Sequence, residues 1–263
     1  MARRTYGRSK NEVDPYKDYD AFYTMDNMED GFKNRVEGSQ IGDALTLPQA
    51  SQVSEKGTFF PYSMRSKGGV VLPIKLVPDY SKAGQSRLEL DIYTDISKMP
   101  GGNTYVDRKW NRYLFCQGSE TAWSVYGLQC CFMYGLRDYI VTQVPGRDYG
   151  ISYHEGNGLS IPYSTSGGWG ITQADLLNLA WSHLILDLTW TASGNYGISY
   201  TLEKEDGTSL YTKWKDIDMN LQDYERLIIG NNDPADSVSD EDLWYRNAAF
   251  RYIKNVGFKY EAL

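Results

Sequence analysis

The chain has 263 residues and a formal net charge of −7. The acidic balance excludes non-specific nucleic-acid binding by the whole surface, and no apolar run is long enough for a membrane span. With 22 Tyr, 7 Trp and 25 Gly, the composition favours strands and turns, in one large all-β domain or two small ones.

Residues 1–10 carry Arg3, Arg4, Arg8 and Lys10 without an acid, and residues 11–30 carry seven acids against the single base Lys17. Neither stretch has hydrophobic periodicity, so 1–30 is expected to be an extended N-terminal arm. Its aromatic residues are its anchors, either onto this domain or onto a neighbour. Arg3, Arg4, Tyr6, Arg8, Tyr16 and Phe22 are the candidates for holding a partner or a second copy. No apolar core follows the opening arginines and no Asn-x-Ser/Thr sequon occurs, so no secretion signal is read. Cys116, Cys130 and Cys131 are an odd set without regular spacing, which suits free thiols in a reducing cytoplasm.

From residue 31 to 263 the pattern is that of a single sandwich domain. A first strand is expected over 36–47. Residues 70–77 are apolar, with Pro73 marking an edge or a bulge. Residues 87–94 alternate: Leu88, Leu90 and Ile92 to one side, Glu89, Asp91 and Tyr93 to the other. Strands are expected at 112–116, 122–134 and 139–144, then a Gly/Ser/Tyr-rich loop over 145–170. A short helix over 171–180, capped by Thr172, follows.

Residues 181–190 alternate again, with Leu184, Leu186, Leu188 and Trp190 on one face. A second strand over 196–202 and a third over 208–213 flank Asp206-Gly207, whose residues tolerate positive φ in a tight hairpin turn. A helical turn is expected within 216–224, a strand at 227–230, an acidic loop at 231–242 and a closing strand at 250–260. Short strands and turns at this spacing predict a two-sheet antiparallel sandwich.

The order Trp181-Ser182-His183, strand, turn, strand, Asp206-Gly207, strand resembles the laminin-G-like and concanavalin-A-like jelly rolls. Leu227-Ile228-Ile229-Gly230 is similar to a later strand of that family, 250–260 to its closing strand, and 42–48 to an early one. The resemblance implies an all-β jelly-roll fold. It implies no activity, because such scaffolds host many.

Glu89 and Asp91 sit side by side on one strand face. The segment 89–95 resembles the catalytic strand of laminarinase-type glycoside hydrolases, which need a nucleophilic carboxylate and a raised-pKa acid. The acid position is filled by Tyr93 or Thr94, so both carboxylates are expected to face solvent as ordinary surface groups. His183 is expected to pack beside Trp181. His154 has no nucleophile near it in the pattern. Asn231, Asn232, Asp233, Asp236 and Asp240 do not have EF-hand spacing, and no metal or cofactor is assigned. Tyr163, Trp169, Trp244 and Tyr245, in Gly- and Asn-rich surroundings, are candidate ligand-binding aromatics.

The expectation from these features is a non-enzymatic structural or assembly component of a bacteriophage virion, bound to other virion proteins or its own copies through the arm. The alternatives are a carbohydrate-binding module or adhesin, and a glycoside hydrolase with a degenerate motif at Glu89 and Asp91.

Overall fold

The computed structural model describes residues 14–45, 52–60, 70–94, 110–118, 126–134, 139–143, 180–192, 194–207, 209–218, 225–229 and 251–263. Among them there is no helix. In chain order the strands are β1 (Ala21–Tyr23), β2 (Gln52–Ser54), β3 (Gly57–Phe60), β4 (Val70–Leu72), β5 (Gly84–Thr94), β6 (Trp110–Gly118), β7 (Tyr126–Tyr134), β8 (Tyr139–Gln143), β9 (Trp181–Trp190), β10 (Asn195–Lys204), β11 (Ser209–Asp218), β12 (Arg226–Ile229) and β13 (Arg251–Ala262).

They form two antiparallel sheets. The larger runs β11-β10-β9-β5-β13-β3-β2, with β1 also on β13; the smaller runs β4-β12-β6-β7-β8. Alternation decides which side chains go inward. Leu88, Leu90 and Ile92 of β5, Leu184, Leu186, Leu188 and Trp190 of β9, and Ile198, Tyr200 and Leu202 of β10 are all buried. They join Val70, Leu72, Leu227 and Ile229 of the smaller sheet in one hydrophobic core. The hairpin turn falls where the sequence places it: β10 and β11 flank Asp206-Gly207, and Gly207 has φ of 83°.

The described part of the expected arm is corrected. Ala21, Tyr23 and Met25 are fully buried in the core, and β1 pairs with β13. The Thr58 hydroxyl donates to the Met25 carbonyl at 2.7 Å. The segment from 14 onward therefore packs on the sandwich, because Ala21, Tyr23 and Met25, scattered through an acidic stretch, each find a hole in it, while Met28 stays exposed. Tyr16 and Phe22 pack against each other with tilted rings, centroids 4.8 Å apart. Arg3, Arg4, Tyr6 and Arg8 lie outside the described residues.

The strand expected over 36–47 is also corrected: its described part, 36–45, is a run of turns and bends. Asn34 organises it, its amide donating to the Ser39 hydroxyl at 3.0 Å and to the Ile41 carbonyl at 2.8 Å. Local side-chain hydrogen bonds of this kind compete with a ladder. Strand β4 stops at Leu72 because Pro73 offers no N–H, and β4 is the edge of its sheet. Asp216 to Asp218, expected in a helical turn, belong to β11. Residues 171–179 of the helix expected over 171–180, and the remainder of the turn over 219–224, lie outside the described residues.

Candidate active site

The register of β13, β5 and β9 arranges the side chains of the face turned away from the core into rows. Tyr252, Tyr93 and Trp181 are direct cross-strand partners; so are Lys254, Asp91 and His183; so are Gly257, Glu89 and Ile185. The middle row and the next bring two carboxylates and an imidazole together. His183 Nδ1 lies 2.7 Å from Asp91 Oδ1, and its Nε2 lies 3.8 Å from Glu89 Oε2. The expectation that Glu89 and Asp91 are ordinary solvent-facing acids is overturned: Glu89 is 9% exposed. His183 does not simply pack on Trp181; it bridges both carboxylates.

Two further groups complete the cluster. Tyr19 Oη donates to Glu89 Oε1, reaching over β13 at Gly257. A Cβ at Gly257 would stand 2.6 Å from the Tyr19 ring and 3.2 Å from the Glu89 side chain, so glycine is what admits the phenol. Asn255 donates from Nδ2 to Asp91 Oδ2 at 2.6 Å. Its φ is 52°, and the β13–β5 register shifts between Lys254 and Gly257. A bulge thus turns Asn255 onto the same face as Lys254, a common way for a strand to re-aim a side chain.

The electrostatics follow from these contacts. The hydrogen bond to Asp91, then the interaction with Glu89, push the His183 imidazole up to about 10 against the opposing effect of burial. Burial raises Glu89, but contacts from His183 and Tyr19 outweigh it and hold its carboxyl below the usual range. Burial, then the hydrogen bond to Glu89 and its charge, push the Tyr19 phenol up. The resting cluster therefore contains an imidazolium, an ionised Glu89 and a protonated phenol. Farther along the face, Arg87 makes a two-pronged pair with Asp187, at 2.7 and 3.1 Å, tying β5 to β9.

Of the residues singled out from sequence, the structure brings together Glu89, Asp91 and His183. Tyr163, Trp169, Trp244, Tyr245, His154 and the acidic loop over 231–242 lie outside the described residues. Sequence reading missed Tyr19 as a site residue, and Asn255 altogether. The one available signal was a histidine at a polar position of an otherwise regular strand.

No family model and no curated protein matches the chain. Among solved structures, it is similar to an alginate lyase from Aplysia kurodai (12% identity, TM-score 0.42, 84% of each chain covered). It is similar to an endo-β-1,4-glucuronan lyase from Trichoderma reesei (8% identity, TM-score 0.43, 85% of this chain and 88% of that one). It is also similar to the sialidase of Trypanosoma rangeli (14% identity, TM-score 0.48, 94% of this chain but 31% of that one).

The expectation of a non-enzymatic bacteriophage component is corrected on this finding. Polysaccharide lyases and a sialidase are among the structures found similar, beside a Shewanella oneidensis protein of unknown function, and none of these is a virion part or a laminin-G domain. The physical reason lies in the fold. The cluster of polar groups was sought within one strand, whereas its members come from four segments.

Proposed function

We propose that the chain is a carbohydrate-active enzyme that cleaves an acidic polysaccharide by β-elimination on the outer face of β5, β9 and β13. We take its scaffold to be a two-sheet jelly roll of the concanavalin-A kind. The observation that carries the proposal is the series Tyr19, Glu89, His183, Asp91, Asn255 on a half-open strand face, joined by hydrogen bonds except for the 3.8 Å ion pair between Glu89 and His183. Hydrolysis by a carboxylate pair needs one carboxyl kept protonated. Here Glu89 is held ionised, and the position of the missing acid is Tyr93.

Elimination uses what the cluster has. Tyr19 Oη takes the proton from the carbon next to the uronate carboxylate as its own proton passes to Glu89. The electrons of that C–H bond form the new C=C bond, and the glycosidic C–O bond breaks. The His183 imidazolium protonates the departing oxygen, and Glu89 then returns a proton to His183, restoring both groups. Asp91 and Asn255 fix the ring that donates. Positioned acid–base groups of this type contribute roughly 10²–10⁴-fold to rate.

The test is incubation of the purified chain with alginate, polyglucuronate and a neutral β-glucan. Ultraviolet absorbance of the unsaturated uronate and new reducing ends are both followed. Absorbance should rise with the acidic polymers only, and fall at least about 100-fold in Tyr19→Phe and in His183→Ala. Reducing ends without absorbance would make the enzyme a hydrolase. Tyr19→Phe at full rate would remove the phenol from the mechanism.

A further inference from the structure

Next to the His183 row lies a second one that the proposed chemistry does not use. Tyr252, Tyr93 and Trp181 run across β13, β5 and β9, with Tyr93 5.5 Å from Trp181 and 6.1 Å from Tyr252 between ring centroids. Two ammoniums rest on these rings. Lys56 Nζ is 3.4 Å from the Tyr93 centroid and 4.4 Å from that of Tyr252. Lys254 Nζ is 4.2 Å from the Trp181 centroid.

The lysines are placed by the backbone. Lys56 is in the turn between β2 and β3, and Gly57, with φ of 118°, brings that turn against β13; a Cβ there would lie 2.9 Å from the Ile253 carbonyl oxygen. Lys254 stands directly across from Asp91, yet its ammonium lies over Trp181, while Asp91 is taken by His183 and Asn255.

We infer that this row is a subsite for one anionic pyranose, in which Lys56 and Lys254 select the sugar's carboxylate and the aromatic row stacks on its ring. The inference rests on reading the face as the cleavage face, and it names how that face chooses acidic substrate. A half-exposed cation–π contact is weaker than a charge-assisted hydrogen bond to a carboxylate. An arriving uronate therefore draws the ammoniums off the rings and uncovers Tyr93 and Trp181 for stacking. A neutral sugar offers the ammoniums nothing better than the rings, so the platform stays covered. The selected carboxylate then sits one row from His183, the strand-to-strand rows on one face being two residues apart.

Binding is measured apart from turnover. Full-length His183→Ala is titrated calorimetrically with an alginate hexasaccharide and with cellohexaose, at two salt concentrations. The alginate oligomer should bind at least about tenfold more tightly, a difference of about 1.4 kcal/mol. Lys56→Met and Lys254→Met keep the aliphatic stems over the rings and remove only the charge. Each should weaken alginate binding several-fold and flatten its salt dependence, while Lys→Arg at either position retains most of it.

Equal affinity for the neutral oligomer, or Met variants that bind as the parent does, overturns the subsite. The two readings fail separately. Charge-dependent binding with no unsaturated product from the unmodified chain sinks the cleavage and leaves the subsite. Cleavage that is unchanged in kcat and KM by both Met variants sinks the subsite and leaves the cleavage.

Discussion

Strands β5 and β9 carry two faces built from the same residues in alternation. Inward, Leu88 and Leu90 meet Leu186 and Leu184 in strict register. All four are at most 1% exposed, and any of them is interchangeable in kind with its neighbours. Outward, the same register juxtaposes Asp91 with His183 and Arg87 with Asp187, and no member can be exchanged without leaving a charge unmatched. The comparison teaches that a non-directional force fills one face, so hydrophobicity at period two suffices there. Directional contacts fill the other, so partner identity matters. Four experiments probe this comparison, starting with the largest expected effect.

Deleting residues 1–30 removes material from both faces: Tyr23 and Met25 from the core, Tyr19 from the cluster. Each fully buried large side chain contributes roughly 1.5–3 kcal/mol, a large share of the roughly 5–15 kcal/mol that a domain has. A chain starting at Gly31 should therefore lose its cooperative thermal transition by circular dichroism. A truncated chain that melts near the full-length midpoint would show that the segment from 14 onward is an arm after all.

Leu186→Ala should cost about 2–5 kcal/mol in urea unfolding, as buried leucines generally do. Ile185→Ala, one residue away on the half-buried outer face, should cost clearly less. Equal costs would mean that the outer face is packed as a second core.

The third experiment is pH. His183 has its folded value raised to about 10, above the ordinary 6.5 or so. The folded state then binds the extra proton between those values. The stabilisation from His183 is complete below about pH 6.5 and is lost as pH rises through about 10. Glu89 works at the other end: its lowered value means its contribution holds above the ordinary carboxyl range and is lost as pH falls through the folded one. Thermal midpoints should decline from neutral pH towards 10, and that alkaline decline should be shallower in His183→Gln. Parallel curves for the two proteins would mean that His183 is not held between the carboxylates in solution.

The smallest effect belongs to the hairpin tip, remote from both faces. Gly207→Val should cost about 1 kcal/mol, because φ of 83° is unfavourable for a β-branched side chain, although a Cβ there would meet nothing within 4 Å. A variant as stable as the parent would show that the turn relaxes to accept it.

The sequence by itself determined the strands at 87–94, 181–190 and 196–213, the Asp206-Gly207 turn, and which residues of 87–94 and 184–190 share the face that meets the core. Period two and turn chemistry act between near neighbours, so they can be read without a fold. It also set Glu89 and Asp91 side by side, two residues apart on one strand. Tertiary structure decided what those carboxylates touch. His183 is 92 residues from Asp91, Tyr19 is 70 from Glu89, and Asn255 is 164 from Asp91. No local pattern encodes such separations; they depend on which strands become neighbours and in what register. Tyr19 needed the missing side chain at Gly257, and Asn255 needed the bulge of β13. The segment through β1 to residue 30 read as a polar arm because its few apolar residues have no period of their own. Their period is that of the cavity they fill, and only the folded sheets supply it.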